Sequence, residues 1–460
     1  MDRRRTPFLL LALLCATASA GQVTLTVWDW HVADTSKGPG KWLADIDVAF
    51  QKLHPDVTLN HVAKSHNEYY QIFKAVASTR SGPDVVMLHQ GARILDNRES
   101  LAPLTDFVTP EFKKALRGWE LTSEDYDPSK TPYAVPIAVQ GNVWYYNKKL
   151  LKEAGVEPDP APQSWDAFLA ACDAVKAKTG KAGIAVGEKE GGWAGWFINS
   201  AVFQALTPEE QEQVRSGKLA WTDPKVAAIF ERLKELEQRG CFQKGFMSTP
   251  MWPEAQYIFR RGDAAFFLGL ISDVAHWKDF SQALGAENVG VMTCPQFRPG
   301  PDADRFPVGG AFAYAVTSWS PVPKVAFDYI AFVANEENAK AFLTDVGSFP
   351  ANGNVDTSLI TNPCAKQIAE WLAAGRTGAQ FTGKMPMAVD DAIQRECQRL
   401  LTGETDVLGA LESIQFAGTA DVVPAEPIPV WVLALAAFFI FDIIVVAVIL
   451  TRRRSDAQEG

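Results

Sequence analysis

Apolar residues fall at every second position in VTLTVW (23–28), which puts Val23, Leu25 and Val27 on one side. In the following KWLADIDVAFQKLHP (41–55) the spacing lengthens, so that Trp42, Ile46, Phe50 and Leu53 line up and Pro55 ends the run. The first period is that of a strand and the second that of a helix. VTLNHV (57–62) restores the strand period, and NEYYQIFKAVAST (67–79) sets Tyr70, Phe73 and Val76 on one helical side. DVVML (84–88) is almost wholly apolar, as a strand covered on both faces must be. Strands alternating with helices predict a parallel, doubly wound α/β sheet.

After Pro136 the pattern starts again. NVWYYN (142–147) reads as a strand and NKKLLKEAG as a short helix ending at Gly155. SWDAFLAACDAVKAKTG (164–180) reads as a longer helix capped by Ser164 and closed by Gly180, with Trp165, Phe168, Leu169, Cys172 and Val175 as its apolar stripe. Further helices are expected in KVAAIFERLKELEQRG (225–240) and in 320–343. Short buried strands are expected in GDAAFFLG (262–269) and AFAYAVT (311–317). A second α/β unit is implied.

Both ends of the chain depart from this pattern. Arg3 to Arg5, apolar Phe8 to Leu14 and the small Ala18-Ser19-Ala20 match an export signal over residues 1–20, cleaved near Gly21. Leu14 is too large for a lipoprotein site at Cys15. Residues 430–451 are apolar apart from Asp442 and the terminal Thr451, and are followed by Arg452 to Arg454. A helix over Val430 to Leu450 rises about 30 Å, a bilayer's hydrocarbon thickness. The arginines would stay cytoplasmic, with the 452–460 tail, and leave the bulk of the chain outside. Asp442 costs roughly 2.5–3.5 kcal/mol near a bilayer centre, which favours a partner helix. Residues 417–429 hold three prolines and read as a semi-rigid stalk of at most about 40 Å.

Composition narrows the partners. Without residues 1–20, and with the charge-balanced 430–460 set aside, the outer portion carries a net charge of −12, which disfavours nucleic acid. Its five cysteines, Cys172, Cys241, Cys294, Cys364 and Cys397, have no zinc-like spacing. Being odd in number, they leave at least one thiol free or intermolecular. One or two disulfides are open outside the cytoplasm, with pairing unread.

Ligands in an open α/β sheet sit beyond the carboxyl ends of the strands. Those ends are WDWH (28–31), KSHN (64–67) and HQ (89–90). They offer Trp30 as a stacking surface and His31, His66, Asn67, His89 and Gln90 as neutral hydrogen-bonding groups. Such an inventory suits a sugar, whose C–H faces pack on rings while its hydroxyls need donors and acceptors together. The bland reading makes Trp28 core and the polar groups helix caps. In EKEGGWAGW (188–196), Trp193 and Trp196 offer a cleft wall, one of them being core. Trp252 and the Val308-Gly309-Gly310 turn are further candidates. No G-x-S-x-G, P-loop, H-E-x-x-H or dinucleotide fingerprint occurs, so the chain reads as a non-enzyme without cofactor. The histidines keep a metal open. Tyr145 and Tyr146, as strand neighbours, point to opposite faces and cannot easily share an ion.

Five blocks in order carry a resemblance: FQKLHPDVTLNHV, SGPDVVML, YAVPIAVQGNVWYYNKKLLKEAGVEPDPAPQSWDAF, FRRGDAAFFLG and GSFPANGNV. From about Val23 to Leu411 the chain resembles the extracellular solute-binding proteins of family 1, the maltose-binding type that delivers substrates to ABC importers. The resemblance implies two hinged α/β lobes, the first from 21–135 and 280–340, the second from 136–279 and 341–416. It places crossings near Tyr133–Pro136, 278–285 and 337–345. By position it implies a cleft of Trp30, His31, His66, Gln90, Gln140, Trp193, the Gly269–Asp273 segment, Gly309 and Gly310. Leu270 and Ile271 stand where many sugar binders have an aromatic residue, which puts that stacking contact in doubt. The expected role is carbohydrate capture for an ABC permease by a single-pass, membrane-held receptor. A metal chelate, polyamine or glycerol phosphate is the alternative solute, and a secreted enzyme on the same scaffold the alternative class.

Overall fold

The computed structural model describes residues 22–65, 68–271, 276–298, 300, 302–309 and 311–419. The expected export signal, most of the stalk, the membrane helix and the tail lie outside the described residues. Among those described, no helix is long and apolar enough to cross a membrane.

Eleven strands are described: β1 (Val23–Asp29), β2 (Val57–Ala63), β3 (Val85–His89), β4 (Val135–Pro136), β5 (Asn142–Asn147), β6 (Ala182–Ile184), β7 (Ala264–Leu270), β8 (Val289–Met292), β9 (Phe306–Val308), β10 (Phe312–Val316) and β11 (Thr377–Ala379). The first lobe is built on a sheet of order β2-β1-β3-β10-β4 and the second on β6-β7-β5-β8. Neither sheet is wholly parallel, contrary to the expectation from strand–helix alternation. β10 runs antiparallel to β3 and β4, and β5 antiparallel to β7 and β8. These antiparallel members are the strands that enter a lobe directly from the other one, with no crossover helix to turn them.

Strand alternation sorts the apolar residues into separate cores. In β3, Val85 and Met87 join the core that holds Phe50 and Tyr329, while Val86 and Leu88 join the one that holds Tyr69 and Phe73. In β5, Trp144 and Tyr146 face one second-lobe core, and Val143 and Tyr145 face another. The two tyrosines are therefore divided between faces. The predicted helices form, over Gly38–Leu53, Tyr69–Ser78, Lys148–Glu153, Trp165–Thr179 and Pro224–Gln238. Ser164 Oγ caps the fourth by accepting the Ala167 N–H at 3.2 Å. The expected helical stretch 320–343 divides into Pro323–Val333 and Glu336–Ala341 because the Asn335 side chain caps a new start, accepting the Asn338 N–H at 2.8 Å.

The crossings fall later than expected. Residues 280–292 belong with the second lobe: Trp277 and Phe280 of the helix His276–Leu284 enter its core, and β8 pairs with β5. Residues 341–346 belong with the first, where Phe342 packs 4.7 Å from Trp42. The chain instead passes between lobes at 137–141, at the described residues between 293 and 311, and at 347–362. Parts of all three runs lie side by side. Val139 N–H donates to Phe349 O and Ala351 N–H to Ile137 O, both at 2.8 Å, while Gly309 N–H donates to Gln140 O at 2.9 Å.

Gly141 sits in this ribbon, where a Cβ would lie 2.7 Å from Pro307 O and 3.0 Å from the Phe306 ring. Gly141→Ala is expected to lower the melting temperature by roughly 3–6 °C, the cost of overpacking a tight site. Gly300→Ala, with open space around it, serves as the neutral control. Thermal unfolding by circular dichroism compares the two.

Glu188 gives a second expectation. It is fully buried before the helix Gly192–Ala205, where its Oε2 accepts the Ala194 N–H at 3.0 Å. Burial pushes its carboxyl up to about 8, against the helix N–H groups of Ala194 and Trp193 that favour the ionised form. Between the unfolded and folded values the native protein holds a proton that the unfolded chain releases, so stability falls as pH rises from 5 to 8. Glu188→Gln keeps the acceptor and never ionises. Its melting temperature should exceed the parent's by ~5 °C at pH 8 and converge with it at pH 5, as read by differential scanning fluorimetry.

Candidate functional site

The first lobe presents its wall at the ends of β1 and β3. Asp29 closes β1 and is fully buried. Its carboxylate takes the His31 backbone N–H and the Tyr314 hydroxyl, and lies 3.2 Å from His31 Nδ1. Burial alone would raise this carboxyl; the charge and hydrogen bond of His31, aided by Tyr314, hold it below its usual value instead. Asp29 thus fixes the turn that carries Trp30 and His31. The Trp30 ring stacks on His89 at 4.9 Å and meets Tyr69 edge-on at 4.9 Å. His89 is held in turn by Tyr70, whose hydroxyl is 2.7 Å from Nδ1 and accepts the His89 N–H at 3.0 Å. The Arg93 guanidinium covers the Tyr70 ring at 4.6 Å.

The second lobe answers with a row of rings. Trp252 is 40 % exposed and lies 5.7 Å from Trp196 and 5.3 Å from His276. His276 Nδ1 accepts the Leu270 N–H at 2.8 Å, so the neutral ring carries its proton on Nε2. The Gln256 amide, 3.0 Å from that nitrogen, then offers its oxygen. Beyond Trp196, Gln394 packs near Gly191 and Gly195 and donates to Asp390 Oδ2 at 3.1 Å. Burial raises the Asp390 carboxyl.

The two walls meet at both ends. At one end His31 and Gln256 line a shared cavity of about 570 Å³, and Lys278 of the second lobe donates to the carbonyls of Asp345 and Val346. At the other, Arg93 Nη1 donates to Met387 Sδ at 3.3 Å. Near that end a Cβ on Gly91 would lie 2.4 Å from the Gly383 carbonyl oxygen, so backbone passes backbone. Between these ends the first lobe carries Trp30 and His89, and the second Trp196, Trp252 and Gln256.

Trp30, His31 and His89 share the first wall, and Trp196 and Trp252 the second. Trp193 is fully buried, 5.4 Å from Phe242 and 6.0 Å from Phe197, and serves the core. Gln90 is buried too; its amide donates to Ala138 O at 3.2 Å and Phe312 O at 3.3 Å, tying the ribbon to β3. Gln140 and Gly309 lie in the ribbon itself, where Gly309 takes a φ of +145° beside Leu121 and Gln380. His66, Asn67, Asp273 and Gly310 lie outside the described residues. Leu270 and Ile271 are buried, and the ring over this strand end is that of His276. Among the described residues no three His, Cys, Asp or Glu side chains gather to hold a metal.

Sequence reasoning missed Asp29, Tyr70, Arg93, Gln256, His276 and Gln394. Only two carried a local signal: Asp29 lies inside WDWH, and Arg93 follows Gln90 by three residues at the same strand end.

Comparison with known proteins places this geometry. Residues 45–370 match the model of a family described as bacterial extracellular solute-binding protein. The sn-glycerol-3-phosphate-binding periplasmic protein UgpB of Escherichia coli O6:K15:H31 (strain 536 / UPEC) is 23% identical over 364 residues, 74% of this chain and 77% of that protein. The melibiose/raffinose/stachyose-binding protein MelE of Bacillus subtilis (strain 168) is 24% identical over 358 residues, 73% of this chain and 76% of that one. A solved chitin oligosaccharide binding protein superposes with a TM-score of 0.76 at 26% identity, covering 86% of this chain and 97% of its own. With a family match over most of its two lobes, the chain belongs to the bacterial extracellular solute-binding proteins.

Proposed function

We propose that this protein is a membrane-held extracytoplasmic receptor that captures a carbohydrate between its lobes and delivers it to an ABC importer, without covalent chemistry. The observation that carries this reading is the pairing of indole faces on both walls, Trp30 and Trp252, with the neutral groups of His89 and of Gln256, the latter held in place by the buried His276. Sugar rings bury their C–H faces on such surfaces and exchange hydrogen bonds with donors and acceptors held in place. The solved chitin oligosaccharide binding protein and MelE, both named for saccharides, support the class.

A phosphate ester, suggested by the name of UgpB, is the second reading, because Lys37, Arg260 and Lys278 line the cavity beside His31. Those cations already have partners. Lys37 lies 3.7 Å from Asp34, Arg260 lies 3.9 Å from Asp279, and Lys278 is bound to carbonyls of the first lobe. The balance favours the neutral ligand.

The stretch 430–451 supplies the tether, and 417–429 the stalk. Confinement near a permease gives a local concentration up to about millimolar for short linkers. Bending of the ribbon closes the lobes on the ligand.

Isothermal titration against chitin oligosaccharides, raffinose-type saccharides and glycerol 3-phosphate tests the class. Saccharide binding is expected, and Trp252→Ala should weaken it at least ~10-fold, about 1.4 kcal/mol, with melting unchanged because the ring is partly exposed. Binding of glycerol 3-phosphate alone would replace the first reading with the second. For the tether, the full chain should sediment with membranes after a high-salt wash, and a chain ended at Pro429 should not.

A further inference from the structure

Two of the five cysteines outside the leader come together from distant parts of the sequence. Cys172 lies in the helix Trp165–Thr179, and Cys241 follows the helix Pro224–Gln238. Both side chains are 2 % exposed or less and belong to the same second-lobe core. Gly183 of β6 fixes their relation: a Cβ there would meet Cys172 Sγ at 2.8 Å and Cys241 O at 3.0 Å. The Cys241 carbonyl also accepts the Ile184 N–H at 2.8 Å, so the Cys241 segment runs beside β6 directly under the helix. Burial, with Cys241 as a close neighbour, pushes the Cys172 thiol well above its usual value.

The surroundings hold the two segments in register. Asp173, next to Cys172, pairs with Arg239 at 3.1 Å, and Lys176 donates to Gly240 O at 3.4 Å. These straps flank the thiols on the solvent side. Missing side-chain bulk at Gly183 leaves room for Cys172 Sγ beside the Cys241 backbone. The other three cysteines have different surroundings. Cys364 Sγ donates to Val289 O at 3.2 Å in another core, while Cys294 and Cys397 share the core of Cys172 and Cys241, Cys397 lying near Glu188 and Glu396.

We propose that Cys172 and Cys241 form a structural disulfide that joins the helix Trp165–Thr179 to the segment beside β6 once the chain is exported. The inference rests on the extracytoplasmic reading for the oxidant, an exported thiol oxidoreductase in its disulfide form. One thiolate attacks that disulfide and gives a mixed disulfide; the second thiolate displaces the carrier. Two electrons pass to the carrier, which leaves as a dithiol with the two protons the cysteines lose. The bond closes a long loop, so it restricts the unfolded chain strongly. Formation precedes burial, because the folded core shields both sulfurs.

Non-reducing peptide mapping of the full chain purified after export tests this, with free thiols alkylated under denaturing conditions. The expected result is one linked peptide pair containing Cys172 and Cys241, with Cys294, Cys364 and Cys397 alkylated. The parent should also melt about 5 °C lower after dithiothreitol treatment, a difference absent from the Cys172→Ala, Cys241→Ala double variant. A parallel sample is refolded in a glutathione redox buffer. If Cys172 and Cys241 alkylate fully in both samples, the inference is overturned. A bond that forms in the buffer but not after export upholds the thiol pairing and counts against the extracytoplasmic reading.

Discussion

The architecture hangs on a narrow ribbon of backbone hydrogen bonds between the lobes. Three runs, 137–141, Val308–Gly309 with Phe312, and 349–352, lie next to one another and exchange N–H···O bonds, among them Val139 to Phe349, Gly309 to Gln140 and Ile137 to Phe312. Each such bond contributes a net stabilisation of about 1 kcal/mol, but leaving a buried carbonyl or amide unpaired costs more than that. Sliding one run past another would break several at once. Bending the ribbon changes backbone angles gradually and breaks none. The same bonds that forbid shear therefore leave rotation as the soft coordinate, and the Gln90 amide sets one edge of the ribbon against β3.

Around that axis the walls are stiff. Asp29 is a buried carboxylate, expensive to keep without partners, and its partners are the residues that shape the wall: the His31 N–H, the His31 ring and the Tyr314 hydroxyl. Tyr69 works in the same way one layer further back, donating to Trp28 O at 3.0 Å and accepting the Met87 N–H at 3.1 Å. The rings of this wall are thus set by hydrogen bonds that lie behind them. A rigid wall on a bendable axis is what a receptor needs if binding energy is to go into closure rather than into ordering side chains.

Much of this was legible in the chain, and the failures have physical causes. The apolar stripe from Trp165 to Val175 and the unbroken DVVML needed only periodicity, because each element's burial follows from its own pattern. Which lobe receives an element is different information. The helix His276–Leu284 shows an apolar face in Trp277 and Phe280, yet nothing in it says that the face meets the second lobe. Trp193 and Trp196 occupy one helix three residues apart, and only the distant Phe242 and Trp144 decide that Trp193 is the core member. Gln90 is polar at a strand end, the expected place for a ligand group, but the ribbon's carbonyls claim it. His276 and Gln256 gain meaning only as a pair, across a strand that separates them.

Gly91 and Gly383 face each other without side chains, carbonyl oxygen against α-carbon, on opposite lobes. Gly91 holds a φ of +92°, a conformation that L side chains rarely adopt, so the absence of a Cβ is enforced twice over. Bare main chain cannot compress or change rotamer as a lysine or methionine would. This spot therefore acts as a doorstop with fixed thickness against any closer approach of the two lobes there.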